Sequence, residues 1–401
     1  MEEIKKLLEP INSVHVEPLD LQESFLELGA KFASYSGTVI LQSGSELDCS
    51  KYNILAAWPW MQLSGQSQNM RISVQEREIN FQADPFATLR TLLSYCNMED
   101  FDSTLPVCAG LFGYLSYDLK DQLETLPHTS IDDLGLPHLC FFAPSLIVVQ
   151  DLSRDRTLLC IPLQPGQGQD HIKKLRRQFL SVLESPRTEP LYYENQGTFE
   201  SNFTPSAYKQ AIERIKEYIA SGHVYQVNMS QRFRTDFHGD AYQLFADLFR
   251  KNPAPFFAYI QADDHQIIST SPERFLLKNG RDVETRPIKG TSPRGRTPEE
   301  DKDNKQQLMQ SKKDDAELSM IVDLLRNDLG KVCAAGSVEV KRHKKLEQYQ
   351  NVFHLVSIVK GRLAKNKDTV DLLRAAFPGG SITGCPKVRS MEIIDELEPS
   401  R

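Results

Sequence analysis

The sequence predicts an α+β fold in which antiparallel β-sheets pack as a sandwich and are covered by helices. Three observations carry that prediction. Short apolar runs bounded by Gly, Ser, Pro and Asp dominate roughly the first 160 residues. Stretches with helical periodicity become prominent after Ser206. Strand runs and helix runs are separated instead of alternating, which argues against a parallel βαβ sheet.

The elements follow in order. Gly37–Leu41, GTVIL, and Ser145–Val149, SLIVV, have the apolar content and the punctuation of strands. Gly110–Leu119, GLFGYLSYDL, sets aromatic and small residues around glycines, as a buried strand closely crossed by another backbone does. Loops are expected at Gln164–Gln169, QPGQGQ, and over the polar stretch Glu184–Thr204. The second loop divides the chain into a strand-rich domain at 1–185, a linker at 186–205 and a second domain at 206–401. Ser206–Ser221 carries Tyr208, Ile212, Ile215, Tyr218 and Ile219 at helical spacing, and Gly222 stops it. Val224–Phe233, VYQVNMSQRF, alternates an apolar face with a polar face of Gln226, Asn228, Ser230 and Arg232, which predicts a single strand. Further strands are expected at Phe256–Gln261, Gln266–Ser271 and Asp282–Thr285. One long helix is predicted over Lys302–Leu329, another over Asp368–Phe377, and a last one from Pro386.

A chain of 401 residues exceeds one ordinary core and calls for two domains or two lobes. Hydrophobic residues at 40% and charged ones at 25% are the balance of a soluble globular protein. The net charge of −7 gives no basis for a nucleic-acid or membrane-surface partner. The basic run Lys341–Lys345, KRHKK, reads as a solvated turn or helix face. Seven cysteines, an odd number without a CxxC pair, point to reduced thiols in a cytoplasmic setting, not to a disulfide framework or a zinc site. The opening MEEIKKLLEP lacks the apolar centre of a signal peptide, and no run approaches the length of a membrane span.

Arg286–Gly295, RPIKGTSPRG, sets an amine among constrained neighbours. Pro287 fixes its own φ and biases Arg286 toward extended backbone, while Gly290 permits a turn or a close approach. Beside apolar Ile288, desolvation would favour the neutral, nucleophilic form of Lys289. The same residues also fit a lysine on a hairpin rim, paired with a carboxylate. Glu317 shares a helical face with Met320, Ile321 and Leu324; such a carboxylate must pair, bind metal, change protonation or snorkel to water. Glu273, in STSPERF, follows a Ser-Pro step that ends a strand, either as a general acid or base or as a plain turn residue. Phe377–Val388, FPGGSITGCPKV, sets Thr383, Gly384 and Pro386 ahead of a helix, as an anion-receiving terminus or an ordinary cap. His354, in NVFHLVS, lies in an apolar run, where core histidines are common.

Taken in order, YQVNMSQRF, NPAPFFAYI, STSPERF, TRPIKGT, AELSMIVDLLRNDLG, FHLVS and AAFPGGSITGCPKVRSMEIIDELEP closely resemble the chorismate-utilising enzyme family. The resemblance runs from Ser206 to the end and extends more loosely into the first domain through SYSGTVIL and GLFGYLSYDL. It implies that family's fold and chorismate as substrate. Glutamine at position 226, where the water-using isochorismate and salicylate enzymes carry lysine, resembles the ammonia-using branch. The spelling PIKGT, where anthranilate synthases carry alanine in place of Lys289, resembles the branch of aminodeoxychorismate synthases.

By that resemblance Lys289 would be a covalent nucleophile, and Glu273 the acid that protonates the leaving hydroxyl. Glu317 would be a ligand of magnesium, Mg2+. Gly290, Thr291, His354, Thr383 and Gly384 would contact the substrate, and Ser36 and Pro255 would belong to a tryptophan pocket. Ammonia would come from a separate glutamine amidotransferase subunit, in para-aminobenzoate and folate biosynthesis. The resembled family continues past the point where DELEPSR ends this chain, with further substrate contacts and metal ligands, so poor turnover by these residues alone is the expectation. An anthranilate-type synthase, and a non-catalytic remnant that binds the amidotransferase or tryptophan, are the alternatives.

Overall fold

The computed structural model describes residues 2–75, 77–96, 105–186 and 197–400. The fold is α+β and its ladders are antiparallel, as expected. The chain gathers into two compact units that interleave in sequence. One comprises Met1–Ser116, Pro137–Tyr192 and Gly239–Pro272; the other comprises Tyr117–Leu136, Tyr193–His238 and Glu273–Arg401. No single cut therefore separates them, because Phe256–Gln261 returns to pair with Val39–Gln42 in the first unit. Of the linker expected at 186–205, residues 187–196 lie outside the described residues.

The first unit is built on one ten-stranded sheet. Its centre is Tyr52–Gln66 against Leu139–Asp151, paired from Tyr52↔Asp151 to Gly65↔Leu139 with one register shift between Pro59 and Met61. Arg156–Leu163 and Ser13–Pro18 extend it on one side; Val39–Gln42, Phe256–Gln261 and Gln266–Ser271 extend it on the other. Leu146 to Val149 are all buried, which is why that stretch reads as a continuous apolar run and not as an alternation. The strand expected in GLFGYLSYDL is the shorter Phe112–Leu115, paired with Leu139–Asp151.

The second unit carries a five-stranded sheet. Val352–Arg362 is its centre. Glu339–Gln348 lies on one edge of it; Asp282–Arg286 and Ile288–Pro293 lie end to end along the other. Pro287 sits at their join. It has no N–H for the ladder, but its carbonyl accepts from the Ser357 N–H at 3.2 Å. The helix Lys312–Gly330 covers this sheet, with Leu318, Val322 and Leu329 sharing a core with Phe353, Leu355 and Val359.

The helices Pro205–Ala220, Thr369–Ala376 and Lys387–Leu397 fall where the sequence puts them. Two expectations give way. The helix expected over 302–329 is two helices, Pro298–Gln310 and Lys312–Gly330. They part at Ser311, whose hydroxyl accepts from the Asp314 N–H and caps the second helix. The strand expected over 224–233 shrinks to Gln226–Val227 and Phe233–Arg234. Between these two pieces the backbone finds partners outside any ladder. The Asn228 N–H donates to the Thr383 carbonyl at 2.9 Å, and the Ser230 N–H donates to the Glu398 carboxylate at 2.5 Å. All seven cysteines are free thiols. Among the described residues no helix is long and apolar enough to cross a membrane.

Candidate active site

The amine of Lys289 is aimed by an irregularity in its strand. Between Ile288↔Val356 and Thr291↔His354 the strand advances three residues while its partner advances two. Lys289–Gly290 is thus a β-bulge, and Gly290 adopts φ +81°. A Cβ at position 290 would also lie 2.9 Å from the Asp314 Cβ, so glycine is required by conformation and by space. The bulge breaks the alternation and turns Lys289 toward the segment 377–386. Its Nζ donates to the Ser381 carbonyl at 3.1 Å and lies 3.9 Å from Glu317 Oε1. Only 14% of the Lys289 side chain is exposed.

Glu317 stands near the start of Lys312–Gly330 and accepts from Gln226 Nε2 at 2.9 Å. Gln226 is held by the short ladder Gln226–Val227 against Gly384–Cys385. Asn228, two residues on, donates from Nδ2 to the same Ser381 carbonyl at 2.7 Å. Glu273 fills the gap between the strands Gln266–Ser271 and Arg274–Asn279. Burial pushes its carboxyl above the ordinary range, while the Ser381 hydroxyl, Lys289 and the Ile288 backbone pull it partly back. A carboxyl with a raised pKa beside an amine is suited to the role of a general acid. Beyond the bulge, His354 Nδ1 lies 2.9 Å from Thr291 Oγ1. Burial lowers the pKa of His354, opposed by the Gly290 backbone and by Glu347, so the neutral ring is favoured.

The chain has counterparts among known proteins. The chorismate binding enzyme family matches residues 50–401 of the chain. The chain belongs to that family. It is 37% identical over 385 residues to aminodeoxychorismate synthase component 1 of Bacillus subtilis (strain 168), covering 95% of this chain and 81% of that protein. It is 35% identical over 383 residues to anthranilate synthase component 1 of Cereibacter sphaeroides, covering 91% of this chain and 76% of that one. The solved structure of anthranilate synthase component I from Streptococcus pneumoniae TIGR4 superposes with a TM-score of 0.76 at 27% identity, over 90% of this chain and 80% of that one.

In this chorismate binding enzyme the sequence-predicted residues do not all behave alike. Glu273 and Glu317, from two other motifs, both lie near the Lys289 amine. Gly290, Thr291 and His354 lie at and beyond the bulge that carries Lys289. Thr383 departs from expectation. It is fully buried and its hydroxyl donates to the Gly379 carbonyl at 3.2 Å, so it offers no side chain to a ligand. Gly384 serves a backbone crossing: a Cβ there would lie 2.2 Å from the Gln226 carbonyl. The stretch expected to receive an anion is, in these two residues, a backbone clasp on 226–228: Gly384 pairs with Val227 and the Thr383 carbonyl accepts from the Asn228 N–H.

Ser36 and Pro255, expected in one tryptophan pocket, do not lie side by side. The Ser36 hydroxyl donates to Asp263, past the end of Phe256–Gln261, whereas Pro255 precedes that strand's beginning. A strand of that length, roughly 20 Å, separates them. The serine beside Pro255 is Ser43, whose hydroxyl donates to the Tyr52 carbonyl at 2.8 Å and to the Pro255 carbonyl at 3.3 Å. The antiparallel register Phe257↔Gln42 brings it there. Both serines flank the apolar run Val39–Leu41, and reading the pairing direction of that run is what would have chosen between them.

The described residues supply little for magnesium. Among them no three His, Cys, Asp or Glu side chains gather at one point. Glu317 gives one carboxylate, whose Oε1 already faces Gln226 and Lys289. Magnesium asks for about six oxygens in octahedral array. These residues alone do not compose its site.

Proposed function

We propose that the chain is a synthase component that aminates chorismate at C4, giving 4-amino-4-deoxychorismate through a covalent intermediate on Lys289, for para-aminobenzoate and folate biosynthesis. One observation carries the reading: a mostly buried amine, pinned to the Ser381 carbonyl, has as neighbour a carboxyl whose pKa is raised. The relatives named aminodeoxychorismate synthase component 1 support it. The presence of Lys289 itself argues against the anthranilate-type alternative.

The chemistry follows from the poor leaving group at C4. Lys289, as the free amine, adds to C2 of the ring. The double bonds shift, the C4–O bond breaks, and Glu273 gives its proton so that water departs. The lysine nitrogen is left positive and Glu273 negative. Ammonia then attacks C4, the double bonds shift back, and the C2–N bond breaks with its electron pair returning to Lys289. The new ammonium at C4 can return a proton to Glu273, which resets both groups. Two displacements bring the substituent back to C4; direct attack of ammonia at C2 would give the ortho product. The lysine therefore sets position as well as rate. Gly290 and Thr291 would support the substrate's ring carboxylate with backbone N–H groups, and His354 would line the ring.

Three companions belong to the same proposal. Ammonia is supplied by a separate glutamine amidotransferase subunit, Glu317 contributes one oxygen to a magnesium ion, and the corner of Ser43 and Pro255 is a tryptophan-binding position. The direct test of the central reading is Lys289→Ala, assayed with chorismate and ammonium by chromatography of the products. Loss of the para product, or diversion to the ortho one, is expected. An unchanged rate and product would overturn the reading.

A further inference from the structure

Two of the groups that face the Lys289 amine, the Ser381 carbonyl and Glu317, are linked to one side chain. The Ser381 carbonyl accepts from Lys289 Nζ at 3.1 Å and from Asn228 Nδ2 at 2.7 Å. Glu317 Oε1, on the other side of the amine, accepts from Gln226 Nε2 at 2.9 Å. The same Gln226 nitrogen reaches Asn228 Oδ1 at 3.4 Å. Lys289, Ser381, Asn228, Gln226 and Glu317 thus close a ring, in which Asn228 uses both ends of its amide. Its backbone N–H adds a third hold, on the Thr383 carbonyl at 2.9 Å.

We propose that Asn228 is a positioning residue for Lys289, acting through the Ser381 carbonyl; this rests on the reading of Lys289 as the nucleophile. A neutral amine has two N–H bonds and one lone pair. Fixing an N–H on a carbonyl restricts the lone pair to two directions, and attack depends on that direction. A carbonyl oxygen also has two lone pairs. With Asn228 on one and Lys289 on the other, the Ser381 carbonyl cannot swing without losing a hydrogen bond. Remove the Asn228 donor, and the carbonyl that holds the amine is free to turn. Asn228 itself need not touch substrate for this.

Asn228→Asp is the discriminating variant. It keeps the shape and the acceptor facing Gln226, but cannot donate to Ser381. Two readouts are taken on the full chain. The first is kcat and KM for chorismate with ammonium. The second is the rate at which cyanate carbamylates Lys289, followed by peptide mass spectrometry, with Lys341, whose side chain is 51% exposed, as internal reference. The expected result is a fall in kcat of about fivefold, the worth of one neutral hydrogen bond, with KM unchanged and with faster labelling of Lys289 relative to Lys341. Asn228→Ala, measured on the folded fraction, is expected to show the same labelling change and covers a failure of the aspartate variant to fold. Unchanged labelling of Lys289 in both variants would overturn the proposal whatever the rates do, and an unchanged kcat would overturn it too. If Lys289→Ala instead retains rate and product, it is the catalytic reading that fails, while the labelling data still report whether Asn228 holds the amine.

Discussion

At Glu273 burial and neighbours act in opposite senses, and burial prevails. Its carboxyl binds a proton more tightly in the native state than in the unfolded chain. The contribution to stability is full below the unfolded value and is lost as pH rises through the folded one. Glu273→Gln cannot ionise. It is expected to match the parent in thermal unfolding at acid pH, to exceed it at mildly alkaline pH, and to lose roughly 10²- to 10⁴-fold in turnover as a missing general acid would. Unfolding midpoints at the two pH values, with steady-state rates, check both halves. Gly290→Ala tests the bulge. Left-handed backbone alone costs a residue with a Cβ roughly 1–2 kcal/mol, and the approach of Asp314 adds to it. Denaturant unfolding is expected to report at least that loss. Turnover is expected to fall further than stability, since the bulge aims Lys289.

Among the elements, helix Lys387–Leu397 is fastened to Lys312–Gly330 by an ion pair, Lys387 Nζ to Asp328 Oδ2 at 2.6 Å. Asp328 is 1% and Lys387 12% exposed, and the ammonium also donates to the Ala376 carbonyl at 3.1 Å. Burial lowers the Lys387 pKa, and Asp328 counteracts it. Asp328→Asn strands a buried charge and is expected to cost roughly 3–5 kcal/mol. Asp328→Asn with Lys387→Met removes both charges and is expected to recover much of that in the same denaturant titration. Elements with local signals were legible. Asp368 caps Thr369–Ala376 through its own carboxylate, and the sequence announces that helix within a few residues. The break at Ser311 was legible only as a cap, because helical spacing continues through QSKKDD on either side of it. The strand over 224–233 misled because its alternation is real but serves non-ladder contacts: Asn228 turns to 381–383 and Ser230 to Glu398.

Across the whole molecule, what the sequence hid was long-range pairing. Residues 239–272 read as part of the second half, yet Phe256–Gln261 closes onto Val39–Gln42. The same pairing exchanges Ser36 for Ser43 beside Pro255. The candidate residues Lys289, Glu273 and Glu317 each sit in a separate motif, and the sequence offers each one separately. Their mutual geometry was not legible: the Asn228–Ser381–Lys289 linkage joins YQVNMSQRF, FPGGSITGCPKV and TRPIKGT, and no one of these contains it. Glutamine alone is expected to give no aminated product, and to give it once an amidotransferase subunit is added; following 4-amino-4-deoxychorismate by chromatography under both conditions checks this. The most direct test of the central claim is mass spectrometry of the protein quenched soon after mixing with chorismate in the absence of ammonia. A Lys289 peptide heavier by one substrate molecule less water is expected. Full turnover on adding ammonia, with no adduct at Lys289 at any quench time, would contradict it.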